Sequence, residues 1–318
     1  MSEKPENYFS VITPGMLSTY QDLGRLGQAN LGLTTGGPAD RKAFHWANKL
    51  VNNPINTPSL EISFGGLQLI AHAATTFTVT GANAPLTING TAKELWQSHR
   101  VSAGDKIDLG FATKGCRLYL AVAGGFIVNP QFGSVSTVLR EKVGGIDGGA
   151  IEAKQCLYFA PSIKPPLYRL TDKDIPTYSE SSTLRVIKGY QLPLFDPYEI
   201  TKFFANEYQV SSQCDRMGYR LSGAPVISSI SKMYSEGICK GAIQIPPDGQ
   251  PIVLSNDRQT IGGYPKIGSV LSLDLDNLMQ SNQGNKLRFE AISIHLAHNL
   301  LHLAHAKDNQ TTLVKVTD

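Results

Sequence analysis

Short stretches of β-forming residues, bounded by glycine, proline or asparagine, run along almost the whole chain. Successive side chains of a strand point to opposite faces, so short alternating or β-branched runs predict strands. In the first half, strands are predicted at Phe9–Thr13, Leu60–Phe64, Leu67–Ala71, Thr76–Thr80, Lys106–Leu109 and Arg117–Val122. In the second half, they are predicted at Thr183–Lys188, Glu207–Ser211, Ala242–Ile245, Pro251–Ser255, Val270–Asp274 and Leu287–Ala291. Many short strands separated by turns are typical of barrels and sandwiches, so we expect a mostly β protein.

Helical periodicity is found in only two places. The first helix is expected after Gly37, with Pro38 in its first turn and a stripe formed by Phe44, Ala47 and Leu50. The second is expected from about residue 293 to 306, where Leu296, Leu300 and Leu303 share one face that should pack against the protein.

The length of 318 residues exceeds the size at which single hydrophobic cores usually stop growing, so two domains are expected. Proline-rich sequence between residues 160 and 182 is typical of a linker. We therefore predict an N-terminal β domain over residues 1–165 and a C-terminal β domain, carrying the main ligand loops, over residues 166–318.

Charge and hydropathy argue against several classes of protein. The 29 Lys and Arg against 26 Asp and Glu leave a net charge of only +3, without the basic patch of a nucleic-acid-binding protein. Residues 1–7 are polar, unlike a signal peptide, and the longest apolar stretch, Leu118–Val128, is too short to span a bilayer. A cytoplasmic protein without membrane or nucleic-acid partners is expected.

Metal and nucleotide motifs are not evident in the sequence. The four cysteines show no CxxC spacing, which gives no indication of a zinc site or a disulfide framework. His298 and His302 have the i, i+4 spacing of a helical metal site, but the glutamate of HExxH is missing, so an exposed helix face is expected and no metal. No P-loop or dinucleotide fingerprint is present.

Polar residues are concentrated in glycine- and proline-rich loops. Arg, Gln, Lys and Tyr beside glycine suit a ligand held by side-chain donors and exposed backbone N–H groups. The alternative is that Asp and Arg merely pair across tight turns, and for any single residue both interpretations remain open. Because binding residues concentrate in loops on rigid scaffolds, function is favoured for the second-half loops as a group.

These loops also carry a family resemblance. The run from Ser235 to Leu254, continuing from Asp257 to Gly268, closely resembles the biotin-dependent carboxyltransferase / allophanate hydrolase subunit 2 family. The resemblance extends to Cys214–Leu221, Leu60–Ile62, Gln21–Arg25 and Gly37–Arg41, and it covers roughly residues 8 to 292. Stand-alone bacterial members of this family include the C subunit of ATP-hydrolysing 5-oxoprolinase and the Kip antagonist.

The resemblance implies two cyclophilin-like β-barrel subdomains and a multi-subunit enzyme. In 5-oxoprolinase the expected partners are the B subunit, a homologue of allophanate hydrolase subunit 1, and the A subunit, a lactam-utilisation protein. Together they open 5-oxoproline to glutamate with ATP, whose binding site within the complex stays open. We expect this chain to be folded but inactive alone.

Two alternatives to a 5-oxoprolinase subunit also follow from the resemblance. One is a carboxyltransferase component that acts on a urea-like amide. Biotin is not expected for the preferred function, because the chain has neither a biotin carboxylase region nor a biotinyl domain. The other alternative is a Kip-type regulatory partner without chemistry of its own.

Candidate site residues follow from the loops and the resemblance. An amide carbonyl oxygen that gains negative charge is stabilised by preorganised donors, and a carboxylate can orient a donor or take a proton. The predicted catalytic residues are Lys266, Tyr264, Asp215, Arg216 and Arg258. The predicted substrate-binding residues are Arg220, Glu236, Gln244, Asp248, Gln250, Gln259, Asp22, Arg25 and Asp40.

Which carboxylate acts as a base stays open, with Asp215, Glu236 and Asp248 as candidates. Lys266 follows Gly262-Gly263 and Pro265, which can aim its side chain at a fixed point. We expect Lys266→Met to keep the melting temperature and to lose most turnover.

Overall fold

The computed structural model describes residues 6–161, 164–230 and 233–317. Part of the polar N-terminal stretch and part of the predicted linker therefore lie outside the described residues. The first strands in chain order are β1 (Tyr8–Pro14), β2 (Leu17–Gln21), β3 (Ser59–Ser63), β4 (Gly65–Ala71), β5 (Thr75–Asn83), β6 (Leu86–Ile88), β7 (Thr91–Lys93), β8 (Ser98–Val101), β9 (Lys106–Phe111), β10 (Lys114–Val122), β11 (Cys156–Tyr158) and β12 (Leu167–Arg169).

The remaining strands are β13 (Ser181–Lys188), β14 (Glu207–Cys214), β15 (Gly218–Ser222), β16 (Glu236–Gly237), β17 (Ala242–Gln244), β18 (Ile252–Leu254), β19 (Ile261–Gly262), β20 (Lys266–Val270), β21 (Lys286–Ile292) and β22 (Val314–Val316). The α-helices in the described residues are α1 (Arg41–Leu50), α2 (Pro197–Ala205), α3 (Ser272–Met279) and α4 (Ile294–Gln310). The prediction of a mostly β protein is confirmed.

The chain forms two compact units. Unit 1 comprises the described residues of Met1–Gln28, Thr35–Tyr178 and Thr312–Asp318, and unit 2 comprises Ala29–Thr34 and Ser179–Thr311. The division after Tyr178 differs from the predicted break at residue 165, because β12 pairs with the C-terminal strand β22 within unit 1.

Unit 1 is built from two sheets. Strands β11-β1-β4-β9-β6-β7 form one sheet and β2-β3-β10-β5-β8 form the other. Alternate apolar side chains of both sheets form a continuous core that includes Phe9, Leu69, Val79 and Leu120. The strand predicted at Arg117–Val122 is part of β10, which ends before Gly124-Gly125.

Helix α1 belongs to unit 1 and begins later than predicted. Asp40 caps it by accepting a hydrogen bond from the Ala43 N–H at 2.9 Å, so Pro38 lies before the helix and not in its first turn. The predicted stripe is confirmed, since Phe44, Ala47 and Leu50 are all buried.

Unit 2 contains a closed barrel in the order β13-β20-β17-β18-β15-β14-β21. The barrel closes through a parallel pairing of β13 with β21, whereas its other neighbours are antiparallel. Strands β16 and β19 form a separate two-stranded sheet. Half of the predicted site residues lie in the loops that join these strands, and four more lie on the strands themselves.

Two secondary-structure predictions in unit 2, one of a strand and one of a helix face, are corrected. The strand predicted at Val270–Asp274 is wrong, because β20 ends at Val270 and α3 begins at Ser272, burying Leu275 and Leu278 on one face. Helix α4 exists, but its leucine face does not pack as a whole: Leu296 is 45% and Leu303 67% exposed. The buried position of α4 is Ala297, and Leu300 packs partly against the same cluster.

Among the described residues, no helix has the length and apolar character needed to cross a membrane.

Candidate functional site

A cavity of about 300 Å³ lies in unit 2 and is lined by residues from strands of this unit and from the loops that join them. This volume is at the small end of the range for ligand cavities. It brings together six predicted site residues, Asp215, Arg220, Gln244, Arg258, Gln259 and Tyr264. Its apolar lining comes from Met217, Ile238, Ile252 and Leu254. The combination of apolar side chains with a few polar groups is typical of a small-molecule site.

Arg258 is the cation of this cavity that is not held by a carboxylate. Its Nε donates to the Ile238 carbonyl at 3.1 Å and its Nη1 to the Ser255 carbonyl at 3.3 Å. Burial lowers the pKa of the guanidinium below its ordinary value. Among the residues that the structure describes, no carboxylate forms an ion pair with Arg258, so its charge is available to a ligand.

Gln244 is the last residue of β17 and is only 7% exposed. Its side chain lines the cavity beside Gly262, where a Cβ atom would lie 2.7 Å from Gln244 Nε2 and 2.3 Å from Ile238 Cδ1. Within the described part of the chain, no side chain or backbone group hydrogen-bonds to the Gln244 carboxamide. Glycine at position 262 therefore lets the Gln244 and Ile238 side chains pack directly against the backbone.

Asp215 lines the cavity from the turn between β14 and β15. Its Oδ1 accepts hydrogen bonds from the N–H groups of Met217 at 2.7 Å and Gly218 at 3.2 Å. One oxygen thus stabilises the turn, as the alternative interpretation of such residues predicts.

Arg220 and Asp248 form an ion pair, of which only Arg220 lines the cavity. Gln250 is also outside the lining, since its Oε1 accepts from the Gly223 N–H at 2.9 Å and its Nε2 donates to the Gly223 carbonyl at 3.3 Å. Gln259 and Tyr264 line the cavity with exposed side chains.

Arg216 does not line the cavity, because Asp257 holds its guanidinium. Nε donates to Asp257 Oδ2 and Nη2 to Asp257 Oδ1, both at 2.9 Å, and both residues are buried. Such a bidentate pair is geometrically specific. It joins the β14–β15 turn to the loop that carries Arg258.

Lys266 also lies outside the cavity lining. Its ammonium group donates to Glu236, which further accepts from Tyr190 Oη and from Gln191 Nε2, the latter at 2.5 Å. The hydrogen bond from Lys266, followed by that from Tyr190, lowers the pKa of Glu236 below its ordinary value. Tyr190 and Gln191 were missed by the sequence analysis, which had no signal beyond their position after Gly189. The catalytic role of Lys266 stays a prediction.

The three predicted residues of unit 1 are engaged in local structure. Asp22 accepts hydrogen bonds from the Val135 N–H at 2.9 Å and from Ser136 Oγ at 2.7 Å. Arg25, 1% exposed, donates through Nε to the Gln131 carbonyl at 3.1 Å. Asp40 caps α1 and accepts from Tyr178 Oη at 2.6 Å. None of these three lines the cavity in unit 2.

A buried pair next to Asp40 was not predicted as a site. Tyr119 Oη donates to Glu61 Oε2 at 2.7 Å and accepts from the Asp40 N–H at 2.8 Å. Burial, with the nearby charges of Glu61 and Asp40, raises the pKa of Tyr119 well above its ordinary value. This hydroxyl therefore stays protonated and holds the start of α1.

Unit 1 contains a larger cavity of about 460 Å³. Its charged lining residues, Lys93, Glu94 and Lys114, are exposed, and it contains none of the predicted site residues. The smaller cavity in unit 2 is therefore the better candidate. No group of three or more His, Cys, Asp or Glu residues that could hold a metal occurs in the described ranges.

A closed β barrel with a small cavity of apolar and polar side chains is typical of small-molecule-binding proteins, and comparison with known proteins identifies the family. The family model described as carboxyltransferase domain, subdomain A and B, matches residues 31–291. The chain belongs to this family, and the resemblance seen in the sequence is confirmed.

The individual relatives belong to two kinds of enzyme, 5-oxoprolinase and urea carboxylase. The chain is 34% identical over 287 residues to the C subunit of 5-oxoprolinase from Escherichia coli (strain K12), covering 89% of this chain and 91% of that protein. A similar match, 34% over 284 residues, is found with the C subunit of 5-oxoprolinase from Haemophilus influenzae. The crystal structure of Kluyveromyces lactis urea carboxylase superposes with a TM-score of 0.91 at 26% identity, covering 100% of this chain but only 30% of that one.

Proposed function

We propose that this chain is the carboxyltransferase-family subunit of an ATP-dependent 5-oxoprolinase. The observation that carries the proposal is the 34% identity to the C subunit of 5-oxoprolinase, which extends over 91% of the E. coli protein. The urea carboxylase match, in contrast, covers a minor part of a much longer chain. Agreement over nearly the full length of a stand-alone subunit favours the same place in the same kind of complex.

The cavity in unit 2 supports this proposal chemically. Ring opening of a lactam places negative charge on the carbonyl oxygen, and preorganised donors stabilise such charge. Gln244 supplies an amide donor for that oxygen, and Arg258, which has no carboxylate partner among the described residues, supplies a cation for an acidic group of the substrate. Ile238, Ile252 and Leu254 supply apolar surface suited to ring methylene groups.

The proposed reaction requires partners. In this proposal the chain acts with a homologue of allophanate hydrolase subunit 1 and with a lactam-utilisation protein, and ATP is bound within that complex. In this proposal the chain contributes the cavity and its cation to the complex.

Reconstitution tests the proposal. The chain is purified alone and co-expressed with both partner proteins, and ATP-dependent formation of glutamate and ADP from 5-oxoproline is measured. We expect turnover only with the partners. Turnover by the chain alone would contradict the division of labour, and no turnover with partners that co-purify would contradict the function and leave a regulatory partner as the better explanation.

The TM-score of 0.91 with urea carboxylase supports a second candidate, carboxyl transfer to a urea-like amide. Biotin would then be carried by another polypeptide. Carboxylation of urea in the presence of a biotinylated carrier, without 5-oxoproline-dependent ATP hydrolysis, would favour this candidate over the first.

A further inference from the structure

Gln244 presents a buried carboxamide to the cavity with no protein partner among the described residues. The residue is 7% exposed, and both its donor and its acceptor need hydrogen bonds. The carboxamide lines the cavity, so a ligand bound there can supply both hydrogen bonds. A ligand in this cavity should therefore offer both an acceptor and a donor to one carboxamide.

Arg258 places a planar cation in the same cavity. Two of its nitrogens each make one hydrogen bond to a backbone carbonyl, which fixes the plane of the guanidinium. Its nearest acidic neighbour in sequence, Asp257, is held by both Nε and Nη2 of Arg216. The remaining N–H groups of Arg258 match the geometry of a carboxylate.

Gly262 lines the same cavity and packs against Gln244. A Cβ at this position would collide with both the Gln244 carboxamide and the Ile238 side chain, at 2.7 and 2.3 Å. Glycine therefore lets these two side chains pack directly against the backbone, and a larger residue would displace the carboxamide from its position in the cavity lining.

Building on the proposed function, we propose that Gln244 and Arg258 select a small cyclic acid that carries a cis amide. A ring amide displays its N–H and C=O on the same edge, whereas an open-chain trans amide displays them on opposite edges. Gln244 donates from Nε2 to the ring carbonyl and accepts at Oε1 from the ring N–H, forming two parallel hydrogen bonds. Arg258 binds the carboxylate, so the two residues read separate parts of the ligand.

Urea offers the same amide edge but no carboxylate. Arg258 therefore makes a contact that favours binding of a lactam acid over binding of urea. Gln244 makes the same contact with the amide edge of either ligand. These assignments make Gln244 and Arg258 specificity-determining residues for the substrate class.

Binding of four probe compounds tests the assignment. Calorimetric or ligand-observed NMR titrations use the chain and its reconstituted complex with 5-oxoproline, 2-pyrrolidinone, glutamate and urea. The wild type should bind 5-oxoproline at least about tenfold more tightly than 2-pyrrolidinone, which lacks the carboxylate, and than glutamate, which lacks the ring amide.

Variants separate the two contacts. Gln244→Met should weaken 5-oxoproline and 2-pyrrolidinone alike, by about tenfold or more. Arg258→Lys keeps the charge but loses the two parallel N–H donors of the guanidinium, and Arg258→Met loses both. Each should abolish the preference for 5-oxoproline over 2-pyrrolidinone while leaving the Kd of 2-pyrrolidinone within about twofold of the wild-type value. Gln209→Met and Arg288→Met, on exposed positions of β14 and β21 outside the cavity lining, are the matched controls and should bind as the wild type.

Circular dichroism of every variant checks that the barrel is intact, and Gly262→Ala should block the cyclic ligands without unfolding the chain. Unchanged 5-oxoproline binding by Gln244→Met, no preference of the wild type for the carboxylate, or no binding of 5-oxoproline by the complex would each overturn the inference. A complex that shows the expected binding pattern without turnover refutes the proposed function alone. Turnover with unaltered binding by both variants refutes the inference alone.

Discussion

The buried ion pair of Arg216 with Asp257 makes a strong prediction about stability. The two side chains are 9% and 8% exposed and share two hydrogen bonds of 2.9 Å, and the Asp257 N–H donates to the Arg216 carbonyl at 2.7 Å. Arg216→Met would leave the Asp257 carboxylate buried without its cation. Breaking a buried pair in this way costs about 3–5 kcal/mol.

The predicted change in melting temperature follows from this free energy. For a domain of roughly 150–250 residues, each kcal/mol of lost stability lowers Tm by about 2–4 °C. The expected decrease for Arg216→Met is therefore about 6–20 °C. The double variant Arg216→Met/Asp257→Leu removes both charges, and its stability should recover much of the loss, because apolar replacement of a whole buried pair is often neutral.

Urea denaturation and thermal melts followed by circular dichroism measure these changes, with exposed Arg288→Met as the control. A coupling energy near zero between the two substitutions would show that the pair contributes no specific stability. If Arg216→Met kept its melting temperature but lost turnover, the structural role would be refuted and Arg216 would return to the candidate catalytic residues.

Three further predictions concern residues outside the cavity. The structure replaces the unchanged melting temperature expected from the sequence: Lys266→Met should lower stability by about 1.5–3 kcal/mol, because it removes a charged hydrogen bond to Glu236, and should leave 5-oxoproline binding unchanged. Lost turnover at an unchanged melting temperature would support the earlier expectation of a catalytic role for Lys266 instead. Because Lys266 and Tyr190 hold the pKa of Glu236 below its ordinary 4.5, the unfolded state binds more protons just below that pH and stability falls as pH decreases through the folded-state pKa. Glu236→Gln should therefore show a flatter dependence of Tm on pH below about 4.5, and an unchanged profile would contradict this. The double substitution His298→Ala/His302→Ala should leave Tm and turnover unchanged, since both side chains are exposed, and activity restored in the wild type only by a specific metal would show that a metal site was overlooked.

Much of the barrel could be predicted because its strands combine local propensity with turn residues at their ends. The exception, Val270–Asp274, alternates between apolar and polar positions as a strand does, yet Leu271, Leu275 and Leu278 also follow helical spacing. Short runs satisfy both periods, and here the buried face of α3 decides between them.

Helix α4 shows a different limit of sequence reasoning. Leu296, Leu300 and Leu303 share a face by their spacing, but only Leu300 packs against the cluster formed by Leu271, Ile292 and Ala297. Periodicity identifies a helix and its apolar side, whereas the side that is buried depends on where the chain enters and leaves. The small Ala297 is the buried residue of α4 among those described, which the hydrophobicity pattern did not indicate.

The two Asp-Arg dipeptides explain why the candidate site could be predicted only in part. Asp215-Arg216 and Asp257-Arg258 have the same dipeptide sequence, and both lie in glycine-rich loops. Local sequence therefore predicts a ligand-binding role for both arginines equally. The structure pairs Arg216 with Asp257 across 41 positions of sequence, which removes one cation and one carboxylate from the cavity. Asp215 and Arg258 are the members left lining the cavity, and among the described residues neither forms an ion pair. The crossed pair therefore fixes the two loops to each other and leaves Asp215 and Arg258, one negative and one positive group, lining the same cavity, a division between the two dipeptides that depends on a contact between distant loops and so could not be predicted from local sequence.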